Sequence, residues 1–554
     1  MSLPRRLPSA EPDPALLALF NKPERIPLAV RRQAEFFVFF AQTIFPLLER
    51  YRDRLTPLYC EDNGRPAWDP VRLLGVLVLQ FVLRFTDREA AEASQYDMRW
   101  RLALHLGAQD SGCDPSLLVV FRNRLVDSAV EGLAFTAVLD YLVQQGWVPK
   151  RSRQRLDSTH VRGLLSAMNR LECARETIRM LLKDVEVNGN LPDAWTGYWD
   201  VYVEGKIDPR AGATALEAKS KQAGEDMLAI WMYAAQHWPV ARLDAFVLLQ
   251  RVFLENYELA LTGQTNKTRA QPTGAVHNPH EPEAQWSSKS TTKDKTWVGY
   301  KVQVAETAQE QPRQPGEPTA NFVTAMVTQN APASDKPGMA EVLVEQKAMG
   351  LEAPSPLYVD GAYVCSASLD EARKQGRELR GPAPAPPDRG KVFTVEAFDV
   401  HVEDRYAICP AAQRSSNCSR LEEKGTGNVD YRIEWSKTVC GPCLLRDQCV
   451  STGQDHRTFV VGELHSLLQD RRREMQTDAF KQEMRQRNGI EGTQSELVRG
   501  YGLRQARYRG QAKVRLQNYL IGAACNIRRL FRRLAWTALQ AQNVESRAMS
   551  ATTG

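Results

Sequence analysis

Apolar residues between positions 14 and 150 recur at the three- and four-residue steps of a helix, as in PSLLVVFRNRL and GLAFTAVLDYLVQQGWV. Helix starts are marked as well. TDRE sets Thr86 three residues before Glu89, the spacing of a reciprocal cap, and Asp69-Pro70 and Asp114-Pro115 place a capping acid ahead of a proline suited to a first turn. The pattern predicts an all-helical N-terminal domain over residues 1–150, with a basic edge at Arg122 and Arg124. A second helical stretch, about 165–262, contains RETIRMLLKDVE and EDMLAIWMYAAQHW. It gives way to TGQTNKTRAQPTGAVHNPHEPEAQWSSKSTTKDK, whose polarity predicts a loop or partial disorder.

The period then shortens to two. RLDSTHVRG (155–163), WVGYKVQVAET (297–307) and NFVTAMVTQNA (321–331) read as strands, the last two joined by the long loop TAQEQPRQPGEPTA. A helix at GMAEVLVEQKAMG, a strand at PLYVDGAYV (356–364), a helix at SASLDEARKQG and a strand at ELRGP follow. This order predicts an α/β core with a mixed five-stranded sheet flanked by helices, arranged as in the RNase H fold. The expected boundaries are a core from 151 to 400 with the helical insertion inside it, a cysteine-rich insert at 401–460, C-terminal core helices at 461–537 and a flexible tail at 538–554.

Composition narrows the class. Of 554 residues 43% are hydrophobic and 25% charged, as in folded globular protein, and at this length several structural units are expected. The longest apolar run, LLGVLVLQFVL (73–83), is too short for a bilayer, and the N-terminus lacks a signal-peptide core, which predicts a cytoplasmic protein with no membrane partner. Its ten cysteines are then expected to stay reduced or to bind metal. The net charge of +6 is concentrated between Arg485 and Arg533, where twelve Lys and Arg face two acids, a block suited to a polyanion.

Against that background the acids matter. Asp157 lies inside one strand and Asp360 near the end of another, and the predicted order makes those strands neighbours. Paired aspartates repel one another unless divalent cations bridge them, and magnesium suits carboxylates supplemented by water and phosphate oxygens. A third carboxylate is sought after the last strand. Glu491, bracketed by Gly489 and Gly492 among arginines, is the leading candidate, with Glu496 and Glu483 as rivals. CGPCLLRDQC adds Cys440, Cys443 and Cys449 to Cys409, a set whose spacing suits a tetrahedral zinc ribbon, with Cys418 as substitute. The last helix places Leu516, Leu520, Ala523, Ile527, Leu530 and Leu534 on one stripe for packing and leaves Arg528, Arg529, Arg532 and Arg533 off it, for phosphate. His160 is expected on the face opposite Asp157, while His277 and His280 sit in the polar loop.

Taken in order, GRPAWDPVRLLGVLVLQFVLRFTDREAAE, LDSTHV, TWVGYKVQVAET, LYVDGAYV, CGPCLLRDQC and IEGTQSELVRGYGLRQARYRGQAKVRLQNYLIGAACNIRRL span roughly residues 40–535 and resemble a bacterial insertion-sequence DDE transposase, of the eleven-eighty-two group. The resemblance implies that Asp157, Asp360 and Glu491 form a triad holding two Mg²⁺ or Mn²⁺ ions, with Zn²⁺ a further candidate at the cysteines. It also implies double-stranded DNA, both terminal inverted repeats and target, as substrate, a homodimer on that DNA, and a bacterial, nucleoid-associated location. Arg487, Arg499, Arg504, Arg507, Arg509, Lys513, Arg528 and Arg529 are the candidate DNA contacts. The tyrosine, arginine, glutamate, lysine signature of related enzymes is incomplete: Arg487 matches its arginine, but Met484 and Val498 stand where its tyrosine and lysine would be, with Arg499 next to the latter. A DNA-binding relative that no longer cuts, or a nuclease on the same fold, is the alternative.

Overall fold

The N-terminal apolar runs fold as helices, and three of those named below have side-chain caps on their first turns. After α1 (Leu28–Phe39) comes α2 (Pro70–Leu83), where Asp69 accepts from the amides of Val71 and Arg72 at 3.0 and 2.9 Å. Helix α3 (Asp87–Tyr96) carries the reciprocal cap of Thr86 and Glu89, α4 (Pro115–Asp127) is capped by Asp114, and α5 (Leu133–Gln144) follows. Helix α2 is apolar on nearly every side, which suits only a position with neighbours all round, and Val71 through Val82 are buried apart from Arg72.

The computed structural model describes residues 2–552 apart from 5, 6, 23–25, 62, 108, 190, 207–211, 237–239, 241, 260–264, 268, 269, 289–295, 310–313, 387–389, 391 and 423–428. Strand β1 (Gln154–Arg162) leads into a helical insertion, α6 (Arg170–Val187), α7 (Ala213–Ala235) and α8 (Asp244–Asn256), with its own core of residues such as Leu181, Met227, Ile230 and Leu249. The chain then forms β2 (Gln285–Ser288), β3 (Thr296–Thr307), β4 (Val323–Asn330), α9 (Asp335–Ala348), β5 (Leu357–Tyr358), α10 (Ser366–Lys374) and β6 (Leu379–Arg380). β3 pairs antiparallel with β1 and β4, while β5 runs parallel beside β1 and β6 parallel beside β5. The expected mixed order is present, with a sixth strand, β2, added along the outer edge of β3 from within the stretch read as loop. The remainder of that stretch and of the 307–320 loop lies partly outside the described residues.

A small three-stranded sheet, β7 (Asn417–Glu422), β8 (Val429–Glu434) and β9 (Thr458–Gly462), carries a local core of its own around Phe398, Ile433, Trp435 and Phe459. Then come α11 (His465–Glu474), α12 (Gly489–Tyr501) and α13 (Gln511–Thr552). α13 continues helical through the segment expected to be a flexible tail, to Thr552; residues 553 and 554 lie outside the described residues.

The N-terminal helices do not form a core of their own. Leu77, Phe81, Phe135 and Leu139 share one continuous core with Val302, Val304 and Met326 of the sheet and with Leu516, Leu520 and Ile527 of α13. Gly522 makes the approach close: a Cβ there would lie 2.8 Å from a ring carbon of Phe135 and 3.0 Å from Met326 Cγ. Leu534, the last residue of the expected stripe, is exposed. The basic edge is also absent, because Arg122 is buried against Asp87 and the Tyr508 ring, and the Arg124 guanidinium lies over the Tyr59 ring.

Candidate active site

β1 pairs with β5 at Gln154–Leu357 and Arg155–Tyr358. Continuing that parallel register by two residues puts Asp157 across from Asp360 on the same face of the sheet. The strand around Asp360 is shorter than its apolar pattern predicted. Asp360 lies just past its end and caps the helical turn Gly361–Tyr363, with Oδ1 accepting from the Ala362 amide at 2.9 Å. The electrostatics agree with the closeness of the two acids: the Tyr363 phenol is held well above its usual pKa by burial, then by Asp335, Asp157 and Asp360. Its hydroxyl donates to Gln303 Oε1 at 2.5 Å, so a neutral phenol lies beneath the acids.

The candidate third acid, Glu491, lies beside Arg487. One guanidinium nitrogen is 3.4 Å from Asp157 Oδ2 and another 3.9 Å from Glu491 Oε1, so Arg487 stands between the two carboxylates. Glu491 lies in the first turn of α12 with its side chain 69% exposed, whereas its rivals are engaged elsewhere. Glu496 pairs with Arg529 at 2.9 Å and Arg532 at 3.2 Å, and Glu483 lies 3.6 Å from Arg380 and accepts from the Tyr358 hydroxyl at 3.4 Å.

Beneath the acids is a buried ionic network. Glu306 of β3, fully buried, accepts from Arg155 Nε at 2.6 Å, from Thr493 Oγ1 at 2.6 Å and from Arg529 Nη1 at 2.9 Å. This corrects Arg529, expected to meet DNA: it is 2% exposed, and burial, the largest influence and a lowering one, is outweighed by Cys525, Glu306 and Glu496, which together raise its pKa. Other expected contacts are engaged within the protein too. Arg507 donates to the Phe85 carbonyl at 2.8 Å and lies over the Phe81 ring, Arg504 donates to the His160 carbonyl at 3.2 Å, and Arg528 lies over the Phe36 ring. Arg533, read as free for phosphate, pairs with Glu317. Arg499 and Arg509 are exposed and Lys513 partly so. Tyr363, Arg155 and Glu306 were not singled out from sequence. Two signals were there: Arg155 is two residues from Asp157, hence on its face, and Glu306 is an acid in a strand, directly after the apolar pair Val304-Ala305.

All ten cysteines carry free thiols. Burial raises the Cys449 thiol to about 11 against the lowering effect of Arg457, with Cys440, Cys409 and Cys443 adding to the rise, so these four are neighbours. Among the described residues, however, no three His, Cys, Asp or Glu side chains are drawn together as a formed metal site. The carboxylates of Asp157, Asp360 and Glu491 fit a hard divalent cation by chemistry, and Arg487 supplies the positive charge between Asp157 and Glu491 here. His277 is partly buried, which lowers its pKa, and His280 is 2.6 Å from Glu176, so both belong to the packing of the insertion. No helix among the described residues is long and apolar enough to cross a membrane.

Asp157 within β1 and Asp360 just past β5, on neighbouring parallel strands of a mixed sheet flanked by helices, are the arrangement expected of an RNase H-like fold. Residues 408–531 match a family model described as Transposase DDE domain, and residues 29–124 match one described as Transposase domain (DUF772). No curated protein matches the chain. These two matches support a bacterial insertion-sequence DDE transposase, the kind of enzyme that cleaves DNA and transfers strands with divalent metal ions.

Proposed function

We propose that Asp157, Asp360 and Glu491 are the metal-holding acids of this transposase, and that one site performs both hydrolysis at the element ends and attack of the freed 3′ hydroxyl on target DNA. The reading is carried by the in-register placement of Asp157 and Asp360 with Arg487 joining Asp157 to Glu491. Two divalent ions, Mg²⁺ or Mn²⁺, held by these oxygens supply Lewis acidity to the entering and leaving oxygens of an in-line displacement. The chain's own groups do the rest. Asp157 and Asp360 present oxygens from a rigid sheet, and Glu491 presents its own from an open helix start that a DNA strand can reach. Arg487 can exchange its carboxylate partners for a phosphate. The neutral Tyr363 phenol keeps the floor of the site free of added charge.

Arg499, Arg509 and Lys513 give the DNA backbone a basic flank, and a homodimer on DNA brings two such sites to two ends. The eleven-eighty-two group is the proposed subgroup. Cys409, Cys440, Cys443 and Cys449, with Cys418 as substitute, hold one structural zinc once the thiols draw together; one equivalent of zinc per chain by mass spectrometry, lost in Cys443→Ser, is the expected result.

The deciding experiment is cleavage and joining of a labelled duplex carrying the element's own end, comparing native protein with Asp157→Asn, Asp360→Asn and Glu491→Gln. Each variant should bind the duplex and lose both reactions by at least about a thousandfold, the order set by removing a group that stabilises transition-state charge. A fully active Glu491→Gln would return the third role to Glu483 or Glu496.

A further inference from the structure

Glu491 is placed by its backbone rather than by its side chain. The carboxylate is largely open to solvent, with Arg487 at 3.9 Å as its ion-pair partner. The turn bearing it is anchored on both sides. Before it, Arg155 Nη1 donates to the Gln486 carbonyl at 3.0 Å, and the guanidinium fills the space a side chain at 489 would need: a Cβ on Gly489 would fall 1.8 Å from Nη1. After it, Thr493 Oγ1 donates to Glu306 Oε2 at 2.6 Å. The two anchors meet in Glu306, whose other oxygen accepts from Arg155 Nε at 2.6 Å. Arg155 and Asp157 share a face of β1, so one side chain ties the strand that carries one acid to the helix start that carries another.

We propose that Arg155 is a positioning residue that sets the separation of Asp157 and Glu491 by locking the start of α12 against β1, an inference that rests on those two acids being metal ligands. A buried ion pair is a poor device for stability alone, since apolar residues of similar volume often serve as well, but its directional bonds define one register. Arginine is required because its planar fork reaches Glu306 and the Gln486 carbonyl together, whereas a lysine, a single point charge, satisfies Glu306 and leaves the carbonyl.

The test uses the full chain with Mn²⁺ alone as probe, its binding followed by electron paramagnetic resonance, beside thermal unfolding, duplex binding and Mg²⁺-dependent cleavage. Arg155→Lys should keep a near-native melting midpoint and duplex affinity yet raise the Mn²⁺ concentration for half-saturation roughly tenfold, the scale seen when a group supporting a metal ligand is lost. Gly489→Ala should do the same from the helix side. In an Arg155→Ala background, adding Gly489→Ala should change little further, because the methyl then has room. The proposal is overturned if folded Arg155→Lys and Gly489→Ala both bind Mn²⁺ as the native chain does while Glu491→Gln does not. If Glu491→Gln also binds as the native chain does, the assignment of the triad has failed instead. Should Arg155→Ala not fold, Arg155→Lys and Gly489→Ala decide the matter between them.

Discussion

Glu345 shows how much one residue's surroundings can set. It sits on α9, accepts from the Met326 amide at 3.2 Å and the Tyr519 hydroxyl at 3.0 Å, and is raised to about 6, burial outweighing both hydrogen bonds. Its folded value lies above the ordinary 4.5, so the native state holds the extra proton, and its stability is fullest below that pH and declines as pH rises through about 6. Glu345→Gln keeps an acceptor for the Met326 amide and sets an NH2 against the Tyr519 hydroxyl, which then accepts instead of donating, and it should be more stable than the native chain by about 2 kcal/mol at pH 8, at 1.36 kcal/mol per pKa unit, with no gain at pH 4. Urea midpoints at the two pH values check it. Asp157 belongs to the same scale, because sequence already marked it as an oddity: an acid inside a strand is costly unless something compensates. What compensates in this structure is Arg487, 330 residues away in sequence, which no local pattern announces.

At the scale of elements, helices and strands were legible wherever an amphipathic period coincided with local caps or alternation. Thr86 with Glu89, Asp69 and Asp114 cap helices as their spacing predicts, because those bonds are local. The strand at PLYVDGAYV was overextended, since Asp360 bonds the Ala362 amide and turns the chain out of the sheet two residues past Tyr358. Strand β2 went unread because a four-residue edge strand among polar residues is formed by its partner β3 rather than by its own pattern. The arginines of α13 were misjudged for a related reason. Helical spacing says which residues leave an apolar stripe, but not that Glu306, Glu496 and Glu317 wait on other elements to receive them. Leu520→Ala, in the stretch of α13 packed within the shared core, should cost about 2–5 kcal/mol. Removing residues 538–554, where Leu539 and Val544 are exposed, should leave the melting midpoint nearly unchanged by calorimetry.

For the whole molecule, the shared core of the N-terminal helices, the sheet and α13 couples regions that sequence reading divided at residue 150. Leu520→Ala should therefore speed amide hydrogen exchange in α2, β3 and α13 together, while Leu249→Ala, in the separate core of the insertion, should speed it in α6 to α8 alone. Charge acts at this scale as well. Replacing Arg499, Arg509 and Lys513 together by alanine should weaken binding to any duplex and reduce the slope of log affinity against log salt by roughly 0.9 for each phosphate that the protein no longer neutralises.

The amino-acid sequence by itself determined the class of the fold, the order of the five expected strands and the polyanion partner, and it named the acids proposed for the site, because periodicity, capping and charge density are properties of neighbours along the chain. Tertiary structure alone decided which arginines remain for DNA, that the N-terminal helices share the catalytic core, and that Glu306 and Arg155 underlie the acids. The shared core depends on apolar faces that meet only when distant segments pack, and the other two outcomes depend on a buried charge finding a partner hundreds of residues away, where the cost of leaving it unpaired is felt only once folding has removed the water.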